Sequence, residues 1–418
     1  MDQFLIHGGK ALRGGVEAAG SKNATLPILA ASLLADGPCR LSRVPNLRDT
    51  ETFLKLLAEF GLRIERPAPR RIAIDTSEVR TGTAPYDLVR TMRASVMVLG
   101  PLLTRFGRAQ VSLPGGCAIG ARPIDQHLKG LEAMGAEISI KDGYIDARAG
   151  RLKGVRVSFD MVTVTGTKNL MMAAALAEGT TVLENAAQEP EVSILADLLN
   201  QMGGRVTGAG TPIIEIEGVD RLGGYEVGVP PDRIETGTFM IAGAITGGDV
   251  TIHRCIPEHV RSLTLRLREA GLDVTEGNDW VRVLANGPLQ PVSIKTAAYP
   301  GFPTDLQAQF MTLMTLARGS CAISETIFEN RFMHAAELVR MGANIATDGR
   351  TAHVEGVESL AGAHVMATDL RASASLVLAG LAAKGDTIVR RVYHIDRGYE
   401  RIEERLRTLG AEIERVSE

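Results

Sequence analysis

The sequence predicts an α/β protein of two domains, each assembled from three βαβαβ-like repeats, and three observations carry that expectation. The chain has 418 residues, too many for most single hydrophobic cores. Six stretches share one plan: a polar or charged start, an apolar helical run, a glycine, then a β-rich segment. A second, more exposed helix ending in glycine follows each of them, which is how repeated supersecondary units read in sequence.

In chain order the stretches are GSKNATLPILAASLLADGPCRL, TMRASVMVLGPLLTRFGRAQVSL, GTKNLMMAAALAEGTTVL, ETGTFMIAGAITGGDVTI, PTDLQAQFMTLMTLARGSCAI and DLRASASLVLAGLAAKGDTIV. Their closing glycines, Gly37, Gly107, Gly179, Gly248, Gly319 and Gly385, recur about every 70 residues. The second helices end at Gly61, Gly135, Gly203, Gly271, Gly342 and Gly410. Glycine just past a helix end supplies a left-handed cap, and the alternating residues after it begin a strand. The first helix of each repeat is apolar nearly all round, as a buried helix is, whereas the second carries charge on one face, as a surface helix does. Aromatic residues are only 4% of the chain, so close packing of small residues fills the cores. Pro230 and Pro231 in GVPPDRIE mark a seam between the third and fourth repeats. The strand Gln3 to Ile6 precedes the first repeat and is free to pair with the second half. The expected domains are residues 1–21 plus 231–418, and residues 22–230.

With 46 basic and 49 acidic residues and a formal net charge of -3, the chain carries no electrostatic footprint for nucleic acid or an anionic membrane surface. Attraction for anions must be local. Cys39, Cys117, Cys255 and Cys321 stand singly, with neither a metal-ligand spacing nor a disulfide framework. The N-terminal MDQFLIHGGKALRGG lacks the pattern of a signal peptide, and LMMAAALA stops far short of the roughly 18 residues a membrane span needs. A soluble cytoplasmic protein is expected.

Helix N-termini favour acidic side chains, yet the starts of the buried runs hold Lys22, Arg93, Lys168 and Arg371. If the helices point their N-termini at one cleft between the domains, these cations and the exposed N–H groups form an anion funnel. The plainer alternative is that each cation is solvated or paired with a carboxylate.

The stretch LPGGCAIGARPIDQH reads as a strand entering a glycine-rich loop, where Gly115, Gly116 and Gly120 let N–H groups converge on an anion near Cys117. Arg122 would hold a phosphate or carboxylate and lower the thiol pKa; a buried, inert cysteine is the competing reading. In FPTDLQAQF, Asp305 with Thr304 reads first as a helix cap. In YHIDRGYERIEERL, Asp396 also reads as a cap, whereas Arg397 has no structural reason to be there. Glu189 and Glu191 in QEPEVS, and Asp232 in VPPDR, either tie the domains together or are solvated.

Taken with GSKNATLPIL, TMRAS, ENAAQEPE, PDRIETGTF, IFENRFMH, ATDLRASASLVLAG and YHIDRGYERIE, these motifs make essentially the whole chain resemble the UDP-N-acetylglucosamine enolpyruvyl transferases of the EPSP synthase superfamily. The resemblance implies two inside-out α/β barrel domains with an interdomain cleft. It implies transfer of the enolpyruvyl group of phosphoenolpyruvate to the 3-hydroxyl of UDP-N-acetylglucosamine by addition and elimination, with release of phosphate. Such a reaction opens peptidoglycan precursor synthesis and so serves cell wall biogenesis, cell shape and the cell cycle. No metal or other cofactor is expected, the partners are the two small substrates alone, and a monomer is the expectation.

On the same resemblance, Cys117 is the proton donor, able to form a covalent phosphoenolpyruvate adduct and to be alkylated by fosfomycin. Lys22, Arg122 and Arg397 hold phosphoenolpyruvate. Asn23, Arg93, Asp305, Ile327 and the run Arg122, Pro123, Ile124, Asp125 and Gln126 contact the nucleotide sugar, with Asp305 placed to take the hydroxyl proton. Asp369 and Arg371 line the cleft, and Glu189, Glu191 and Asp232 match the interdomain set. One departure is Met161, where some members carry a lysine near the diphosphate; Lys168, or backbone N–H groups at Val162, Thr163, Val164 and Thr165, would replace that contact. The sister enzyme acting on shikimate 3-phosphate does not depend on a loop cysteine, and PGGCAIGARP belongs to the nucleotide-sugar branch. A catalytically silent sugar-nucleotide sensor is the rival from another class.

Overall fold

The computed structural model describes residues 2–113 and 124–417. They form two compact units, one of residues 2–19 with 231–417, the other of residues 20–113 with 124–230. Each unit holds three four-stranded sheets around three inner helices. In the first unit the inner helices are Arg233–Ile245, Gln307–Met314 and Leu370–Ala382. In the second they are Lys22–Ala31, Leu99–Phe106 and Val164–Ala174.

The repeat spanning residues 156–217 shows the plan. Strand Arg156–Ser158 runs parallel to Thr180–Glu184 across the inner helix, pairing Arg156 with Val182. The outer helix Pro190–Gln201 then leads into two strands, Arg205–Thr207 and Ile213–Glu217, which pair antiparallel. Alternation sets their faces: Ile214 and Ile216 are buried while Ile213, Glu215 and Glu217 face outward. The module is therefore βαβαββ, one strand longer than the sequence predicts. The GAG turn, with Gly208 at φ 76°, folds the last segment into a hairpin, which pairs backbone groups that a single edge strand would leave open.

Both units close on themselves through segments distant in sequence. Leu222–Gly228 joins Ala35–Ser42 in parallel, bringing Tyr225 opposite Cys39. In the other unit Asp2–His7 inserts between Asp386–Arg390 and Glu412–Ser417, with Leu5 opposite Ile388 on one side and Glu414 on the other. The N-terminal strand thus pairs with the second half, as expected. Arg13–Glu17 then runs parallel to Asp249–His253.

Every residue of Gln307–Met314 is buried, and the outer helix Arg261–Glu269 buries only Leu263, Thr264 and Leu267. The six glycines after the outer helices all adopt φ between 83 and 100°, the left-handed cap that their spacing predicts. At the fourth inner helix it is Gly247, at φ 66°, that makes the turn; Gly248 beside it packs against the Leu12 carbonyl. Among the described residues no helix is long and apolar enough to cross a membrane.

Candidate active site

Asp305 lies in the 3-10 turn Thr304–Leu306 that opens into the inner helix Gln307–Met314, and it is not a cap: neither element takes a side-chain capping bond. Its Oδ1 accepts from Arg331 Nη2 at 2.8 Å and its Oδ2 from Arg371 Nη2 at 2.9 Å. Two cations with little access to water attract a carboxylate more strongly than neutral helix N–H groups do. Both guanidinium side chains are only 4% exposed. Burial alone would weaken the charge of Arg371, but Asp305, with Tyr399 and Asp232, raises its pKa. Arg371 Nη1 and Arg331 Nε are buried without a hydrogen-bond partner among the described residues. They are cationic donors with capacity for an anion.

Glu325 frames this cluster. Its Oε1 accepts from Thr296 Oγ1 at 2.9 Å and from the Ile327 and Phe328 N–H groups at 2.7 and 3.1 Å, and its Oε2 from Thr304 Oγ1 at 2.7 Å. Thr304 also accepts from Arg331 Nη1 at 2.7 Å. Ile327, exposed at its side chain, is thereby tied to the turn that carries Asp305. Gln309 Nε2 holds the Asp305 carbonyl from within the helix at 3.1 Å.

In the same unit Asp369 caps Leu370–Ala382, accepting from Arg371 N and Ala372 N at 2.8 and 3.1 Å. Asp232 caps Arg233–Ile245 through Ile234 N and Glu235 N at 2.8 and 3.1 Å. Arg397 ends the 3-10 turn Val392–Arg397. Burial and then Arg397 lower the pKa of His394, with Asp369 opposing, so Arg397 and Asp369 act on one imidazole. Asp396 is not a cap: Arg415 grips it at 2.6 and 3.1 Å while also reaching Glu403 at 2.8 Å.

In the other unit Lys22 is the first residue of its helix, capped by Ser21, and its Nζ lies 3.4 Å from the buried Asp49. Lys22 and Arg371 therefore follow the plainer reading of carboxylate pairing. Lys168 does not stand at a helix start. Its helix begins at Val164 because Thr163, one turn earlier, accepts from Gly166 N at 3.2 Å. Lys168 is 3% exposed and donates to the Asn23 carbonyl at 3.2 Å.

Gln126 and Asp160 clip together twice, Nε2 to Oδ2 at 3.1 Å and Asp160 N to Oε1 at 3.0 Å. This joins Ile124, Asp125 and Gln126, at the start of the outer helix Asp125–Ala133, to the segment Met161, Val162, Thr163 and Val164. His127 Nε2 meets Thr165 Oγ1 at 3.3 Å, and the charge of Arg93, first residue of the 3-10 turn Arg93–Val98, reaches the same imidazole. The Met161 side chain is 61% exposed. Glu189 and Glu191 are buried, with Glu191 in the first turn of Pro190–Gln201.

Cys117, Arg122 and Pro123 lie outside the described residues. The other three cysteines are buried and in no disulfide, and burial pushes the Cys39 thiol up to about 12 and those of Cys255 and Cys321 to about 11. They are unsuited to act as thiolates. Sequence reading missed Arg331, Glu325, His127 and Asn169. Arg331 was within reach as the one cation of IFENRFMH, whereas Glu325 and Asn169 carry no local signal.

Two units of three repeats, with acidic and basic side chains gathered at the starts of their inner helices, define a transferase fold, and the chain belongs to the EPSP synthase (3-phosphoshikimate 1-carboxyvinyltransferase) family, which it matches over residues 6–406. Within that family it is 56% identical over 416 residues, covering 100% of both chains, to the UDP-N-acetylglucosamine 1-carboxyvinyltransferase of Halorhodospira halophila. Among solved structures, the enolpyruvyl transferase NikO from Streptomyces tendae superposes with a TM-score of 0.90 at 28% identity, over 100% of this chain and 99% of that one. EPSP synthase from Acinetobacter baumannii superposes with a TM-score of 0.79 at 20% identity, over 100% of both chains, a likeness of fold alone.

Proposed function

We propose that this transferase moves the enolpyruvyl group of phosphoenolpyruvate to the 3-hydroxyl of UDP-N-acetylglucosamine. The hydroxyl oxygen adds to C2 while Asp305 takes its proton and Cys117 delivers a proton to C3. Phosphate then leaves C2 as C3 loses a proton, restoring the double bond. Lys22, Arg122 and Arg397 hold phosphoenolpyruvate. Asn23, Arg93, Ile327 and the run Arg122 to Gln126 hold the nucleotide sugar. Backbone N–H groups at the start of Val164–Ala174, or Lys168, which donates to the Asn23 carbonyl and keeps further N–H donors, take the place of the lysine absent at Met161. Asp369 and Arg371 support Asp305. The work is done in the cytoplasm by a monomer, opens peptidoglycan precursor synthesis, and makes Cys117 the residue that fosfomycin alkylates.

The observation that carries this reading is Asp305, a carboxylate aligned by two buried guanidiniums that keep unmet donors. Such preorganised charge suits a step in which a base acts beside a phosphate- and carboxylate-bearing substrate. Identity over the full chain favours the nucleotide sugar over shikimate 3-phosphate. The test is phosphate release from phosphoenolpyruvate with and without UDP-N-acetylglucosamine. Sugar-dependent release that falls at least about a hundredfold in Cys117→Ser is expected. Release driven by shikimate 3-phosphate, or binding of the sugar nucleotide without release, overturns the proposal.

A further inference from the structure

A hydrogen-bonded chain in the unit of residues 20–113 and 124–230 plays no part in the chemistry above. It begins at the Gly100 N–H, which donates to Asn169 Oδ1 at 2.8 Å. A backbone N–H can only donate, so this contact fixes which end of the buried amide is oxygen. Asn169 Nδ2 therefore faces Nδ1 of His127 at 2.9 Å. An amide nitrogen also only donates, so Nδ1 of His127 is an acceptor without a proton. The ring is 1% exposed, and burial, aided by the charge of Arg93, lowers its pKa to about 3. It is neutral at physiological pH, and its single proton sits on Nε2, directed at Thr165 Oγ1 3.3 Å away.

The helices that carry this chain pack closely around it. A Cβ at Gly100 would stand 2.5 Å from Asn169 Oδ1, and one at Gly130 would stand 2.2 Å from Leu170 Cδ1. The double clip between Gln126 and Asp160 holds the helix of His127 against the segment leading to Thr165. Thr165 is the second residue of Val164–Ala174 and is partly exposed.

We propose that His127 is a positioning residue: by donating to Thr165 it leaves the threonine hydroxyl proton to be presented to a phosphate of the sugar nucleotide at the start of this helix. The proposal rests on the substrate assigned above. A phosphate oxygen only accepts, so a hydroxyl committed to donating toward the imidazole would turn lone pairs toward it, whereas a hydroxyl already accepting from Nε2 turns its proton.

The test has a spectroscopic and a kinetic arm. Imidazole 15N spectra, with His127 assigned by loss of its signals in His127→Gln, should show Nε2 protonated and Nδ1 bare at neutral pH. In steady-state assays Thr165→Val should raise KM for UDP-N-acetylglucosamine about tenfold, with kcat and KM for phosphoenolpyruvate unchanged, and Thr165→Ser should restore it. Asn169→Asp supplies a carboxylate that accepts from Nδ1–H, which reverses the polarity and should reproduce the Thr165→Val effect with Thr165 intact. If Asn169→Asp fails to fold, the spectra and the Thr165 pair decide. A proton on Nδ1, or an unchanged KM in Thr165→Val of an active enzyme, overturns the positioning role. A folded wild type that neither binds the sugar nucleotide nor releases phosphate overturns the functional reading and this one together.

Discussion

Arg371 and Asp305 stand 66 positions apart in sequence and meet at 2.9 Å, Nη2 to Oδ2, where the starts of two inner helices of one unit come together. Arg331 takes the other carboxylate oxygen at 2.8 Å. One carboxylate thus answers two buried cations, which sets both its orientation and its importance to folding.

Replacing Asp305 with Asn keeps the shape and removes the charge, leaving the two guanidiniums uncompensated. Breaking a fully buried pair costs about 3–5 kcal/mol. Because the Asp305 side chain is 29% exposed, a smaller loss of about 2 kcal/mol is expected. Urea unfolding should show it, together with at least a hundredfold fall in turnover, roughly the contribution of a positioned base. An unchanged unfolding midpoint would show the pair to be energetically idle.

Acid should destabilise the fold through two histidines. Burial lowers His127 to about 3, and it lowers His334, beside Arg331, to about 4, against an ordinary 6.5. In the unfolded chain both rings take protons near 6.5, so below that pH protons favour unfolding until the folded values are reached. Stability should therefore fall by about 1.4 kcal/mol per pH unit for each ring as pH drops from 6.5 toward 4. Unfolding free energies at pH 7 and pH 5 check this, and His127→Gln should flatten the slope. Equal slopes in variant and wild type would contradict it.

Gly356 and Gly218 occupy equivalent places in the two units, each donating to a glycine carbonyl at 2.9 Å, Gly319 and Gly179 respectively. An added Cβ would lie 1.5 Å from the Ala317 carbonyl oxygen in one and 1.9 Å from that of Ala177 in the other. Alanine at either position should cost about 2–3 kcal/mol or more. Gly150→Ala, where an added Cβ meets nothing within 4 Å, is the control, and comparable losses in all three would refute the steric explanation.

Arg105 holds the backbone just beyond the inner helix Lys22–Ala31, at the 3-10 turn Ser32–Leu34 and the first residue of strand Ala35–Ser42. Its Nη1 donates to the Leu33 and Ala35 carbonyls, each at 2.8 Å, and its Nη2 to Asp36 at 2.6 Å. A guanidinium there satisfies two backbone acceptors and pairs with a carboxylate at once. Arg105→Ala should cost about 1–2 kcal/mol in thermal or urea unfolding without altering turnover; a change in KM would point to some other role.

The repeats, their buried and exposed helices, and the pairing of the first strand with the second half were legible because periodicity, glycine spacing and chain order are local or additive properties of sequence. The extra strand of the first five repeats was not, since a hairpin of three to six residues a side reads much like one longer strand. Asp305 shows the same boundary within the site. FPTDLQAQF identified the residue, but its local pattern favoured a cap, and only Arg331, later in the same repeat, and Arg371, from the next one, decided otherwise. Lys168 had the right residue type and the wrong helix register.

By itself the sequence determined the class of fold, the number of repeats and the residue types needed for enolpyruvyl chemistry, because those follow from patterns within some tens of residues. Tertiary structure alone decided which charges compensate one another, which amide sets the proton of His127, and which glycines have no room for a side chain. Those outcomes depend on distances between segments far apart in the chain, and a hydrogen bond or an ion pair has no strength until that distance closes to about 3 Å.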